Sequence, residues 1–277
     1  MQIELMGCTS AGKSTLINGI IKNFQYQDIE VLIGDDFVLK IFRLHWIKGY
    51  FIRRLVGDLI ALMLCLKNLQ SNFHLYLFAA RIIMRLPPKV NLIERVMIAR
   101  NVLRNLGIYE IIQRQSSQQQ VILLDEGTLH IAHYLFVHVA VEPNPQDLAN
   151  FAKLIPLPDV VIYIQEKEAV LIERTLRRGH KRIPNISYEQ VERFIKFAVA
   201  TFDELVKFSR IKNRLLVVDA EQKIHAAQDD QNQSSLVMAV KLLQGGLNKV
   251  NKEHLELEGI ITALKPQDIY TTSNINL

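Results

Sequence analysis

The stretch "MGCTSAGKST", residues 6 to 15, decides the fold. It fits G-x-x-x-x-G-K-[ST] without gaps at Gly7, Gly12, Lys13 and Ser14. Before it runs the short apolar strand pattern "QIELM". After it, "KSTLINGIIKNF" has helical spacing, with Leu16, Ile20 and Phe24 on one side. A glycine-rich turn between strand and helix lets backbone N–H groups point at phosphate oxygens, and the helix N-terminus adds partial positive charge. The whole loop, Gly7, Cys8, Thr9, Ser10, Ala11, Gly12, Lys13, Ser14 and Thr15, is therefore expected to hold ATP. Lys13 is expected on the β- and γ-phosphates and Ser14 on Mg²⁺. Cys8 reads as a small residue that fits the loop. The loop alone does not say where the phosphate goes: to water, to a small molecule, or nowhere.

Working outward, "VILLD", "DVVIYI" and "LLVVD" are apolar throughout, as in a parallel sheet buried on both faces. With "QIELM" and "DIEVLIGDDF" they give five strands alternating with helices. The fold class is α/β: a P-loop NTPase with a five-stranded parallel sheet, helices on both faces and a large helical insertion at about 40–115. In the insertion, "LPP" at 86 to 88 separates two helices, and "NLIERVMIARNVLRNLG" puts Leu92, Val96, Ala99, Leu103 and Leu106 on one face with Gly107 as a stop. "SYEQVERF" opens a long helix with a capping box. Residues 1–250 read as one kinase-like unit with a basic lid at about 174–186. Residues 251–277 read as an extension with a frayed tail.

The chain of 277 residues is 49% hydrophobic and carries two cysteines, which suits a globular protein of the reducing cytoplasm. "LVGDLIALMLCL" is too short to span a bilayer and reads as a buried helix. Residues 40 to 114 carry a net +10 against −5 for the remainder. Such a basic middle points to an anionic ligand, an acidic partner or a membrane surface, or to a solvated helical face. No nucleic-acid motif accompanies it.

Three features address the destination of the phosphate. Asp125 in "VILLDEG" sits where a strand would present a Mg²⁺ ligand, and the adjacent Glu126 is what a water-activating ATPase would use. Asp35 and Asp36 in "IGDDF" end the second strand; one carboxylate there can take the proton of an attacking alcohol, unless the pair only caps the next helix. In "ERTLRRGHKRIPN", Arg174 and Arg178 share a helical face and Arg182 follows Gly179; they can draw charge from a transferring phosphoryl group, or simply form a solvated basic loop. His130, His133 and His138 lie nearby; His130 is expected on the acceptor side with Asp36 and Glu126, and a metal site at these histidines is the lesser reading.

At these residues the chain resembles the P-loop nucleoside and nucleotide kinases, most of all the thymidylate kinase and deoxynucleoside kinase group. "IERTLRRGHKRIPNISYEQVERF" is similar to the deoxynucleoside kinase lid, with Arg174 and Arg178 on its two arginines. "IGDDF" resembles the D-x-F of uridine kinase-like enzymes, which implies Asp35 as base. "LLVVDAEQ" is similar to the strand and loop at the adenine edge in thymidylate kinases, which implies Asp219 and Ala220. The resemblance covers roughly residues 1 to 40 and 120 to 245. "DEG" stands where that group has D-R-[YS] or E-R-S, so an arginine that grips substrate is missing there. Related kinases often form dimers, so a homodimer is one expectation.

The combined reading is an ATP- and Mg²⁺-dependent transfer of the γ-phosphate to a hydroxyl or phosphate of a small molecule, its pocket formed by the basic helices. Lys13, Asp35, Arg174, Arg178 and Arg182 would be catalytic, and Ser14 and Asp125 would hold Mg²⁺. The rivals are an ATPase using Glu126 and a non-enzymatic nucleotide-dependent regulator.

Overall fold

A computed structural model describes residues 1–24, 30–44, 46–47, 49–67, 72–117, 120–180, 182–183, 187–219, 224–226, 239 and 241. Ala220, Lys181, the stretch 184–186 of the lid and the segment 251–277 lie outside the described residues.

The apolar runs become β1 (Gln2–Met6), β2 (Glu30–Ile33), β3 (Gln120–Leu124), β4 (Val160–Ile164) and β5 (Leu215–Val218). They pair in parallel in the order β2-β3-β1-β4-β5. A sixth strand, β6 (Ile224–Ala226), adds antiparallel to β5 and was not legible in "KIHAA". The five expected parallel strands are present. Alternation along them feeds two layers. Ile3, Leu5, Ile162 and Ile164 enter one apolar cluster, while Met6, Val161 and Tyr163 enter another on the opposite face.

The first layer is closed by α1 (Lys13–Phe24), α8 (Glu168–Arg178) and α9 (Tyr188–Leu205). Ser187 caps α9 by accepting from the Gln190 N–H, as the capping box requires. The other face is covered by α2 (Gly34–Ile41), α4 (Phe73–Arg85), α5 (Leu92–Gln115), α6 (Ile131–Phe136), α7 (Pro145–Leu154) and the short α10 (Ser209–Lys212). Outside α5 lies α3 (Tyr50–Lys67).

Four expectations change. Asp35 and Asp36 do not end a strand: β2 stops at Ile33 and they occupy the first turn of α2. Acidic side chains there complement the partial charge of the helix N-terminus. Gly107 does not stop a helix. α5 runs through it to Gln115, because Gly107 is where α3 crosses: a Cβ there would lie 2.5 Å from the Ala61 carbonyl oxygen. The inward face of α5 is also rotated, carrying Ile98, Val102, Leu106 and Ile112, while Leu92 and Val96 are exposed. Lastly, α3 is only half buried. Leu55, Leu59 and Met63 face outward, and no helix among the described residues is long and apolar enough to cross a membrane.

Candidate active site

Every candidate group follows the carboxyl end of a parallel strand, where an open α/β sheet places its ligands. At the end of β1, Gly7 and Gly12 adopt φ of 154° and 94°, values that side chains resist. Gly7 also packs so tightly that a Cβ would meet the Ile164 carbonyl oxygen at 2.9 Å. Lys13 folds back over the loop, its Nζ donating to the carbonyls of Gly7 at 3.0 Å and Cys8 at 3.1 Å. Cys8 is buried, which pushes its thiol up to about 12 and leaves it inert.

The loop and β3 meet at one contact. Ser14 Oγ donates to Asp125 Oδ2 at 2.9 Å. The other carboxylate oxygen, Oδ1, is buried and has no hydrogen-bond partner among the described residues. A buried anionic oxygen left unpaired beside a hydroxyl is a donor set that suits a hard cation, so these two residues fit Mg²⁺.

Beyond β3, Asp35 is bound through both carboxylate oxygens by Arg104 Nη2 of α5, at 2.5 and 2.6 Å. Arg104 is 11% exposed and also reaches Asp58 at 3.1 Å, and Asp58 pairs with Arg100. Asp36 instead pairs with Arg53 of α3. The two acids thus serve different neighbours, as adjacent positions on a helix must.

Glu126 sits between these halves. Burial raises its carboxyl, but His130, the Tyr134 hydroxyl, Lys13 and Arg104 outweigh that and hold it below the usual range. Lys13 of the donor loop and Arg104 of the Asp35 pair thus both act on Glu126. His130 is buried and stacks on His133 with ring centroids 4.9 Å apart. Burial drops His130 to about 4 and holds His133 well below its usual value, so both rings are neutral at pH 7. Among the described residues no group of three or more His, Cys, Asp or Glu could hold a metal.

The arginines of the lid part company. Arg174 reaches the donor loop, its Nη1 donating to Ser10 O at 3.4 Å and to Glu166 at 3.1 Å, and the next residue, Thr175, donates to Ser10 Oγ at 3.1 Å. Arg178 is exposed one turn further on. Arg182 is placed elsewhere: it donates to the carbonyls of His133 and Val137, at 3.1 and 2.6 Å, and pairs with Glu94 of α5 at 3.7 Å. Asp219 lines a cavity of about 300 Å³ with Cys8, Gln165, Glu166, Lys167 and Leu171, which puts it beside the donor loop.

Several groups were not legible in the sequence. Arg104, Asp58 and Glu94 lie in helices whose charges read as a solvated face. The signal available was a lone Asp58 inside an apolar run, an acid that has to be paired when packed.

No protein-family model matches the chain, and no curated protein matches it. Solved structures similar to it include three of deoxyadenosine kinase from M. mycoides. The structure with products dCMP and a flexible dCDP bound is 19% identical, with a TM-score of 0.42 over 86% of this chain and 97% of that one. The structure with bound dATP is 19% identical, TM-score 0.44, over 86% and 98%. The structure with bound dCTP is 18% identical, TM-score 0.38, over 86% and 97%. The chain has a P-loop α/β fold. Its glycine loop, strand order and placement of Ser14 on Asp125 establish that from its own geometry.

Proposed function

We propose that the protein is a small-molecule kinase that moves the γ-phosphate of ATP to a hydroxyl group. The observation that carries this is the arrangement of three sites on adjacent strand ends: the donor loop with Lys13, the Ser14–Asp125 contact, and an Asp35 carboxylate fixed by Arg104 yet 55% exposed. Mg²⁺ bound by Ser14 and Asp125 would supply charge neutralisation at the phosphates. Lys13 orients the β- and γ-phosphates, and Asp35 accepts the acceptor's hydroxyl proton as the new P–O bond forms and the bond to the β-phosphate breaks. Arg174, already on the loop at Ser10, is the arginine placed to draw charge from the transferring group, with Arg178 beside it. Arg182 braces α6 against α5. Asp219 faces the donor's base from the cavity by Cys8.

A hydroxyl fits better than a phosphate as acceptor. Among the described residues, the arginines tied to Asp35 and its neighbour Asp36 are already engaged by acids: Arg53 by Asp36, Arg104 by Asp35 and Asp58, and Arg100 by Asp58. A phosphomonoester would need cations that are not so occupied.

The test is a screen for phosphorylated products by mass spectrometry, with ATP, Mg²⁺ and a panel of nucleosides, nucleotides and sugars. Asp35→Asn should reduce transfer by about 10²- to 10⁴-fold, the range for one positioned general base. The half-exposed Glu126, held by Tyr134 beside Asp125, favours an ATPase as the second reading. If ATP turns over rapidly without an acceptor, and Glu126→Gln stops it while Asp35→Asn does not, that reading replaces the first.

A further inference from the structure

Beneath the site lies a carboxylate that none of the chemistry above uses. Glu4 is the middle residue of β1, fully buried, on the sheet face that α6 covers. Its Oε1 accepts from the His130 N–H at 2.9 Å, and its Oε2 accepts from the Leu129 N–H at 3.2 Å and faces the Thr128 hydroxyl at 3.3 Å. These donors form the turn that joins Asp125 and Glu126 to α6. Among the described residues, the Leu129 and His130 amides have no other acceptor.

The third residue of "DEG" has its explanation here. A Cβ on Gly127 would lie 2.5 Å from both the carboxyl carbon and Oε2 of Glu4. Even a methyl group would force the two apart, so Gly127 is the residue that lets the turn settle onto the carboxylate. From the other side, Asn105 Nδ2 of α5 donates to the Gly127 carbonyl at 2.8 Å, and Thr128 Oγ1 donates to the Pro156 carbonyl at 2.7 Å. The turn is thus held on three sides, and Glu4 reaches it from β1, the strand beside β3.

A buried carboxylate in mid-strand is costly, and here burial pushes it up to about 7 despite two backbone N–H donors. An apolar residue would fill the same space without that cost. What Glu4 supplies in return is two acceptors at fixed height above the sheet, in register with Leu124, the residue before Asp125.

We propose that Glu4 is a positioning residue of the transfer site: acting through the turn 127–130, it sets the height and direction of Asp125 towards Ser14 and of Glu126 towards Tyr134. The substitution that isolates this is Glu4→Gln, which keeps the volume but turns one acceptor into a donor facing an N–H group. The inference rests on the kinase reading only for its rate effect, so binding is measured separately.

In equilibrium titrations of ATP at varied Mg²⁺, Glu4→Gln should raise the Mg²⁺ needed for half-saturation by about tenfold. Affinity for ATP in EDTA should stay within about twofold, because Lys13 and the glycine loop are untouched. Where transfer is detected, kcat should fall about tenfold with little change in the acceptor KM. Gly127→Ala should reproduce the Mg²⁺ effect, and should add little to it in a Glu4→Ala background. Native-state hydrogen exchange on the unaltered protein provides a test that needs no variant to fold: the Leu129 and His130 amides should be protected before any ligand is added. Unchanged Mg²⁺ dependence in folded Glu4→Gln, full additivity of Gly127→Ala with Glu4→Ala, or exchange of those amides as fast as in an open loop would each overturn the proposal. Failure of the kinase reading would appear instead as absent transfer with the Mg²⁺ and exchange results intact.

Discussion

At the scale of single residues, the buried titratable groups fix how stability responds to pH. His130, His133 and His138 are each less than 6% exposed, and burial holds them far below their usual range, to about 4 for His130 and about 3 for His138. Native, they bind no proton at pH 6; unfolded, each takes one up below about 6.5. The unfolded state then binds more protons, so stability is present above 6.5 and is lost as pH falls. Glu4 opposes this. Its native value near 7 exceeds its unfolded value, so it favours folding below 4.5 and loses that contribution as pH rises through 7. His180, which burial also lowers to about 4, makes four histidines against one carboxyl, a net three protons and at most about 4 kcal/mol per pH unit between 4.5 and 6.5. Chemical denaturation at pH 7.5, 6.0 and 5.0 should therefore show a steep acid loss, and Glu4→Gln should steepen it. A flat profile would show that these rings are solvated.

The same residues mark the limit of reading the sequence. Gly7, Gly12, Lys13, Ser14 and Asp125 were legible because a strand-to-helix turn and the end of an apolar run are local patterns. Glu4, Arg104 and Glu94 were not. Their roles depend on partners more than 60 positions away, Glu4 on Leu129 and His130, Arg104 on Asp35, Glu94 on Arg182.

At the scale of elements, the crossing of α3 and α5 decides how closely the helical segment sits on the sheet. Gly107 and Ala61 let the two backbones approach, and a methyl group at 107 would lie 2.5 Å from Ala61 O and 2.7 Å from its Cα. In an isolated helix Gly→Ala is favourable by about 1 kcal/mol. Here the contact is backbone, which cannot step aside as a side-chain tip would, so overpacking of about 1–3 kcal/mol should win. Gly107→Ala is expected to lower the urea midpoint without changing the slope. A rise would mean that α3 slides freely on α5. The element-level surprises share this cause. Gly107 looked like a helix stop because glycine usually is one, and the tertiary contact overrode that. In "PNPQDLANFAKL", Asn144 caps and Pro145 opens a helix, a start signal present in the sequence. The two acids of "IGDDF" were assigned to a strand because nothing local distinguishes a strand's last residues from the first turn of the helix that follows.

At the scale of the molecule, one side chain ties the helical segment to the transfer site. Asp58 of α3 is 13% exposed and receives both Arg100 and Arg104 of α5, and Arg104 carries the chain of charge on to Asp35 at the start of α2. Removing one partner from a buried ionic network leaves the others uncompensated, at a cost of about 3–5 kcal/mol. Asp58→Asn should therefore destabilise the fold on that order, far more than the loss of an exposed pair such as Lys207 with Glu204, where the lysine is 67% exposed. It should also act at a distance. With Asp58 neutral, Arg104 loses the ion pair that anchors it on the side away from Asp35, and the carboxylate it holds is less firmly aimed. The kcat of Asp58→Asn should then fall several-fold, while ATP affinity stays unchanged. In a double-mutant cycle the kcat losses of Asp58→Asn and Asp35→Asn should fall short of additive, since both act through one carboxylate. Strictly additive losses would place Asp58 in the stability of the helices alone.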